Sequence, residues 1–199
     1  IVNVRGALGA ASSGPDGRIA FASSNKGTMD IFVAGPQGQT PTRVIKAPSM
    51  QWVNTDPSWS PDGSRFALTA GPTGSPGIYL ASSAGGALQR LSTGHGYSTE
   101  PRWNPVFPDQ LVFTYQSGSL RLGVIDLAAG SVRPIETASP AALAHASWCA
   151  DGRHLVAAQG DWLAIVDSGR GMAPETLRQV ATPFFTTKPM GLGLGLVLS

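Results

Sequence analysis

Three side chains that could contact a partner peptide or a cation recur at one position of this sequence. Asp56, Glu100 and His145 each stand three residues before a tryptophan, and those tryptophans are 44 and 45 residues apart. Equivalent positions of a repeat point the same way, so we predict that the two carboxylates and the imidazole form one partner-binding surface. The alternative is structural, since such side chains also cap backbone N–H groups of neighbouring strands. Ala10 has the same offset in the first repeat.

A second set of candidate residues lies near the C-terminus, in three glycine- and phenylalanine-containing motifs. They are Asp-Ser-Gly-Arg-Gly-Met (167–172), Phe-Phe-Thr-Thr-Lys-Pro (184–189) and Gly-Leu-Gly-Leu-Gly-Leu (191–196). Glycines allow close approach of a ligand to the backbone, and a glycine loop before a helix presents N–H groups to phosphate. In this order, the motifs resemble the first glycine box, the phenylalanine box and the second glycine box of sensor histidine kinases.

This resemblance implies a nucleotide site in which the aspartate of the first box accepts a hydrogen bond from the adenine amine. The nucleotide-binding residues that it implies are Asp167, Gly169, Gly171, Lys188, Gly191, Gly193 and Gly195. ATP with Mg²⁺ would be a cofactor only if this segment is functional, and we expect no other cofactor.

Other parts of a histidine kinase are missing from the sequence. The four asparagines, Asn3, Asn25, Asn54 and Asn104, all stand in strand or turn contexts, so there is no asparagine box to hold Mg²⁺. A helix with a phosphoacceptor histidine is absent too. We therefore interpret 167–199 as a truncated ATPase-like tail on a hybrid chain, without autonomous kinase activity. The three histidines lack metal-ligand spacing, so we expect no metal site.

The longer part of the chain is a fourfold repeat. Its units begin at "SSGPDGRIAFASS" (12–24), "SWSPDGSRFALTA" (58–70), "RWNPVFPDQLVFTY" (102–115) and "SWCADGRHLVAAQ" (147–159). In each unit a strand ends at the tryptophan position, a Pro-Asp-Gly type of turn follows, and an alternating strand comes next. Two further short strands complete the unit. Four strands in a period of about 45 residues are typical of a β-propeller blade.

The fold class predicted from this repeat is an all-β propeller of about four blades, followed by a short α/loop tail. We place the propeller at 1–166 and the tail at 167–199. A four-bladed ring is uncommon, which favours a partial or open propeller whose exposed blade faces invite self-association. We expect Asp56, Glu100 and His145 to lie just before the innermost strand of their blades, around the mouth of the channel.

The stretch 55–105, with Trp-Ser-Pro-Asp-Gly, Ile-Tyr-Leu, Arg-Leu-Ser and Thr-Glu-Pro-Arg-Trp in order, resembles the PD40, WD40-like repeats of TolB-like propellers. The resemblance extends over about 10–166. It implies a non-enzymatic periplasmic scaffold of the Tol–Pal envelope system that binds a peptidoglycan-associated lipoprotein. Two alternatives stay open. One is a fragment of a sensor histidine kinase with a propeller sensor, whose tail would argue for a cytoplasmic location. The other is the propeller of a prolyl-oligopeptidase-like peptidase without its hydrolase domain, since the sequence has no Gly-x-Ser-x-Gly elbow.

Composition excludes several other classes of protein. Hydrophobic residues make up 42% of the chain and the net charge is only +2, so the chain is not disordered by composition. The 14 lysines and arginines are scattered and form no stripe, so we expect no nucleic-acid partner. No apolar run reaches the length of about 18 residues that a membrane span needs. A single cysteine, Cys149, rules out a disulfide within the chain.

Overall fold

A tight turn joins the first two strands of the second repeat, as its Ser-Pro-Asp-Gly sequence predicts. The N–H of Gly63 donates to the carbonyl of Ser60 at 2.9 Å, and a carboxylate oxygen of Asp62 accepts the N–H of Ser64 at 3.0 Å. Gly63 has a φ of 70°, in the left-handed region that glycine adopts without strain. The Ser60 hydroxyl and the Ser64 backbone both donate to Asp62, which lowers its pKa to about 2. The corresponding glycines of the first and fourth repeats are Gly17 and Gly152.

Four such units build the fold. The computed structural model describes residues 7–25, 27–37, 40–136, 141–160 and 162–167. The chain divides into two units, Ile1–Val166 and Asp167–Ser199, and every described residue except Asp167 lies in the first. These described residues form fifteen strands and no helix, which confirms the all-β prediction. The sequence predicts α/loop structure for the tail, and the tail residues after Asp167 lie outside the described part of the chain.

The strands form four sheets in which neighbours in sequence are neighbours in the sheet, so each sheet is one propeller blade. Blade 1 contains β1 (Ala7–Ser13), β2 (Ile19–Asn25), β3 (Thr28–Ala34) and β4 (Thr42–Ile45). Blade 2 contains β5 (Trp52–Trp59), β6 (Arg65–Pro72), β7 (Gly77–Ser82) and β8 (Gln89–Arg90). Blade 3 contains β9 (Ser98–Trp103), β10 (Gln110–Ser117), β11 (Ser119–Asp126) and β12 (Ser131–Pro134). Blade 4 contains, among the described residues, β13 (Ala144–Trp148), β14 (His154–Gln159) and β15 (Trp162–Asp167).

The core of this unit lies between successive blades rather than within one. One apolar cluster joins blades 1 and 2 through residues such as Ile31 and Phe66, and a second joins blades 2 and 3 through Ile78 and Phe113. A third joins blades 3 and 4, where Leu122 and Leu155 are both fully buried. Among the described residues no apolar cluster joins blade 4 to blade 1.

The repeated tryptophans contact the preceding blade, Trp59 and Trp148 through their indole N–H and Trp103 through the guanidinium of Arg65, 5.0 Å from its ring centre. Trp59 donates its indole N–H to the carbonyl of Ser12 at 3.1 Å, and Trp148 donates to the carbonyl of Arg102 at 3.0 Å. The guanidinium of Arg18 lies 4.6 Å from the centre of the Trp59 ring, a cation–π contact from the preceding blade. The tryptophans thus end their strands, as the sequence predicts, and also fasten the blade interfaces.

Candidate functional site

The three residues at the recurring position share one backbone conformation. Asp56, Glu100 and His145 have φ values of 51°, 57° and 54°. They are the non-glycine residues with positive φ in the described part of the chain. Left-handed backbone is unfavourable for such residues, and it persists where the surrounding structure holds it in place.

Each of these residues lies at a β-bulge in the first strand of its blade. The register of β5 with β6 shifts between Thr55 and Ser58, and β9 and β13 shift at the matching places. The bulge of β1 falls between Leu8 and Ala11 and so contains Ala10, the fourth equivalent position. A bulge leaves residues unpaired and re-aims their side chains.

The expectation that these residues lie just before the innermost strand is wrong. Asp56, Glu100 and His145 lie inside β5, β9 and β13. Pro57 and Pro101 follow two of them. A proline cannot donate to the ladder, and it is tolerated inside these strands because both lie at bulges of edge strands.

Hydrogen bonds join these positions into one row that crosses two blade interfaces. The hydroxyl of Thr69, in β6, donates to Asp56 Oδ2 at 3.0 Å and accepts the backbone N–H of Glu100 at 2.8 Å. The Thr114 hydroxyl, in β10, donates to Glu100 Oε2 at 2.9 Å. The same carboxylate oxygen accepts the backbone N–H of His145 at 2.9 Å. Blades 2, 3 and 4 are therefore linked through their bulges.

Capping of a neighbouring blade is thus confirmed for Glu100, whose carboxylate accepts an N–H from blade 4. The carboxylate of Asp56 is held by Thr69 of its own blade instead. His145 Nδ1 lies 2.7 Å from Glu100 Oε1, and the side chain of His145 remains 73% exposed while that of Glu100 is 17% exposed. Burial raises the pKa of Asp56, against the lowering effect of the Thr69 hydrogen bond and the Arg102 charge. Contact with a partner at these residues stays a prediction.

Sequence reasoning missed a cavity of about 500 Å³ at the ends of the four first strands. Each blade contributes to its wall, with Ser13 from blade 1, Ser58 from blade 2, Arg102 from blade 3 and Ser147 from blade 4. Serine hydroxyls, one asparagine and one guanidinium share the lining with three tryptophans and three prolines, so the cavity is mixed polar and apolar. Arg102 is the one charged side chain in it and suits an acidic group of a partner. The aligned tryptophans could have indicated this cavity. They end the first strands of successive blades, and residues beside those strand ends meet at the same end of the channel.

The residues predicted to bind nucleotide lie outside the described part of the chain, apart from the backbone of Asp167 at the end of β15. Within the described residues, no group of three or more histidine, cysteine, aspartate or glutamate side chains is placed to hold a metal ion. That same part of the chain contains no helix that is long and apolar enough to cross a membrane.

Known proteins that are similar to this chain include TolB proteins and a sensor histidine kinase. The TolB homologue of Chlorobaculum tepidum is 28% identical over 88 residues, which cover 44% of this chain and 19% of that protein. The crystal structure of TolB from Acinetobacter baumannii superposes with a TM-score of 0.73 at 22% identity, over 86% of this chain and 43% of that one. This chain thus spans less than half the length of either protein. The sensor histidine kinase ZraS of Salmonella typhimurium is 50% identical over 36 residues, 18% of this chain and 8% of the kinase.

The family comparison covers most of the chain. The PD40 family, described as the TolB beta propeller domain, matches residues 1–159. Its span contains the first two blade interfaces, most of the third, the bulge residues Asp56, Glu100 and His145, and the cavity at the strand ends. The chain therefore belongs to the TolB beta propeller domain family.

Proposed function

We propose that the propeller is a non-enzymatic scaffold that binds a protein partner at the polar surface formed by its first strands. By resemblance to TolB-like propellers, the location is the periplasm, the system is Tol–Pal, and the partner is a peptidoglycan-associated lipoprotein. Membership of the family supports this proposal, as does the lack of a complete catalytic set in the sequence.

The observation that carries the proposal is the hydrogen-bonded row from Asp56 to His145. Side chains that are already held in place lose little conformational freedom when a partner binds. The row ends in the exposed His145 ring, and Arg102 of the adjoining cavity lies two residues beyond Glu100 on the same strand. A partner would therefore meet an imidazole, a guanidinium and several hydroxyls in fixed positions. This combination favours a segment with carboxylate and backbone carbonyl acceptors.

The test is a binding titration with the purified soluble domain of a peptidoglycan-associated lipoprotein. We expect His145→Ala and Arg102→Gln each to weaken binding at least about tenfold, because truncation of a central contact commonly costs about 1.4 kcal/mol or more. The matched control is Asp109→Ala, which removes an exposed charge from the blade 3 turn, away from the row. If all three variants bound the lipoprotein as tightly as the unaltered chain, this face would be rejected as the docking surface. No binding by the unaltered chain would reject the lipoprotein as its partner.

A second candidate function, nucleotide binding by the C-terminal segment, is favoured by one specific observation. The match to the histidine kinase is 36 residues long, which is also the length of the segment 164–199 that carries the three boxes. Calorimetric titration of Mg-ATP and ADP into the full chain tests it. Saturable binding that Asp167→Asn removes would support this function, and no heat at millimolar nucleotide would reject it.

A further inference from the structure

The connection between β8 and β9 forms a second cavity, which no residue of the proposed docking surface lines. Its wall is one run of chain, residues 90–96, and its volume is about 420 Å³. We propose that this β8–β9 cavity binds the phosphate group of a small ligand. The proposal is independent of the lipoprotein and nucleotide proposals, because it uses none of their residues.

The β8–β9 cavity has the size of a ligand site and is separate from the cavity at the strand ends. Pockets for small molecules commonly span about 300–1,000 Å³, and this one lies at the lower end of that range. The connection enters β9 at Ser98, whereas Trp103 at the other end of β9 lines the first cavity. At about 3.3 Å per residue, those two positions are about 17 Å apart.

Hydrogen bonds at both ends of the connection fix the wall of the cavity. At its start, the N–H of Leu91 donates to the carbonyl of Ile78 at 2.8 Å. At its end, the Ser75 hydroxyl donates to the carbonyl of Gly96 at 2.8 Å. Both anchors belong to blade 2, so the connection is held on the blade that it leaves.

The middle of the connection is held as well. The ring of His95 stacks on the ring of Tyr115 in β10, with centres 3.8 Å apart and planes 12° apart. The Thr93 hydroxyl, which is buried, donates to the carbonyl of His95 at 3.2 Å. A wall that is already ordered loses little conformational freedom when a ligand binds.

The side chains of the wall supply donors and positive charge and include no carboxylate. The donors are the guanidinium of Arg90, the hydroxyl of Ser92 and the imidazole of His95. Arg90 makes no ion pair with a carboxylate of the described residues. Its guanidinium lies over β7, where a Cβ on Gly77 would be 3.1 Å from Arg90 Nε. A guanidinium in such a position matches the oxygens of phosphate with two parallel hydrogen bonds.

Two glycines add backbone N–H groups to the same wall. Gly94 has a φ of 73°, and a Cβ on Gly94 or Gly96 would meet nothing within 4 Å. Neither N–H donates to another described residue. A ligand can therefore approach the backbone closely here. Phosphate has enough oxygens to accept from the guanidinium, a hydroxyl and these N–H groups together, whereas a carboxylate has two.

The propeller fold does not itself require this composition. The connection between blades 1 and 2, residues 46–51, makes the same passage from a last strand to a first strand. It contains one exposed cation, Lys46, and no glycine or histidine. The connection 46–51 therefore provides a matched control within the same chain.

An NMR titration of the ¹⁵N-labelled full chain with inorganic phosphate tests the proposal. Ionic strength and pH are held constant with sodium chloride and a non-phosphate buffer, because salt screens contacts between exposed charges. Phosphate is added to about 20 mM, enough to approach saturation of a site with a millimolar Kd. We expect saturable shifts of the backbone amide signals of residues 92–96.

Three variants assign these shifts to the cavity. Arg90→Gln should raise the apparent Kd at least about tenfold, because charge-assisted hydrogen bonds are the strongest that phosphate accepts. His95→Phe keeps an aromatic ring on Tyr115 but removes the ring N–H, and should raise the Kd about threefold. Lys46→Gln, the matched control, removes one exposed charge and should bind phosphate like the unaltered chain. The same spectra show whether each variant is folded.

Three outcomes would overturn the inference. No shift at the highest phosphate concentration would mean that the cavity does not bind phosphate. An equal rise in Kd for Lys46→Gln and Arg90→Gln would mean that the ion responds to overall charge. Vesicles of phosphatidylglycerol and phosphatidylcholine form the last arm, and we expect them to leave the signals of residues 92–96 unchanged. Loss of those signals with vesicles, without a response to inorganic phosphate, would assign the connection to a lipid surface instead.

Discussion

The carboxylate of Glu100 contacts His145 with both of its oxygens, and the two residues belong to different blades. Oε2 accepts the His145 backbone N–H at 2.9 Å, and Oε1 lies 2.7 Å from the ring Nδ1. The Glu100 side chain is 17% exposed and the His145 side chain is 73% exposed, so the carboxylate is the buried partner of both contacts. Glu100 therefore adds a polar link to the apolar packing that joins blades 3 and 4.

The first prediction separates these two contacts. Glu100→Ala removes the acceptor of the His145 N–H and of the buried Thr114 hydroxyl. It should lower the free energy of unfolding by about 1–3 kcal/mol, because a buried hydroxyl is left unpaired. His145→Ala removes only the exposed ring and should cost about 0.5 kcal/mol or less, as exposed ion pairs do. Urea unfolding followed by tryptophan fluorescence measures both. Equal losses would show that the ring contact carries the stabilisation instead.

The second prediction concerns the threonine that bridges blades 2 and 3. Thr69→Val preserves shape but leaves the Glu100 N–H without its acceptor and Asp56 without its donor, so we expect a loss of about 2–3 kcal/mol. Thr114→Val is the matched control, because Thr114 is equally buried and donates to Glu100 within one blade. Its loss should be about 1 kcal/mol. If Thr114→Val lost as much stability as Thr69→Val, hydrogen bonds between blades would contribute no more than those within a blade.

The third prediction is a pH dependence that arises from Asp56. Burial raises its pKa above the ordinary value of 3.8, so the folded chain keeps this proton at pH values where the unfolded chain has lost it. Stability from this group is therefore present below the unfolded pKa and is lost as pH rises through the folded pKa. Asp56→Asn keeps an acceptor for Thr69 and removes the buried charge. It should melt higher than the unaltered chain at pH 7, and the difference should vanish below pH 3.8. If the difference in melting temperature persisted unchanged below pH 3.8, it would not arise from the raised pKa of Asp56.

The fourth prediction compares two adjacent glycines in the turn between β7 and β8. A Cβ on Gly85 would collide with the backbone carbonyl of Val44 in blade 1, whereas a Cβ on Gly86 would meet nothing within 4 Å. Their φ values are 93° and 114°, so alanine is strained at both. We expect Gly86→Ala to cost about 1 kcal/mol from backbone strain alone, and Gly85→Ala to cost at least about 2 kcal/mol more. Equal melting temperatures for the two variants would mean that the Val44 backbone in blade 1 shifts to accommodate the added Cβ.

Much of the fold was predictable because its determinants are local. The Ser-Pro-Asp-Gly turn before β6, the tryptophan that ends β5 and the apolar strand Gly77–Ser82 all depend on residues a few positions apart. Turn chemistry and alternation of period two act at that range, so the sequence alone predicts them. Cross-blade capping by Glu100 was also anticipated, since a carboxylate beside a strand commonly accepts a neighbouring N–H.

The sequence by itself therefore determined the repeat, the strands and the identity of the candidate residues Asp56, Glu100 and His145. The tertiary structure decided their left-handed conformation at bulges inside the strands, because hydrogen bonds such as that from the Glu100 N–H to Thr69 come from another blade. It also decided which of several equivalent apolar side chains are exposed. Leu122 and Leu163 hold equivalent positions in similar strand sequences, yet Leu122 is buried against blade 4 and Leu163 is 51% exposed, because burial depends on packing by residues distant in sequence.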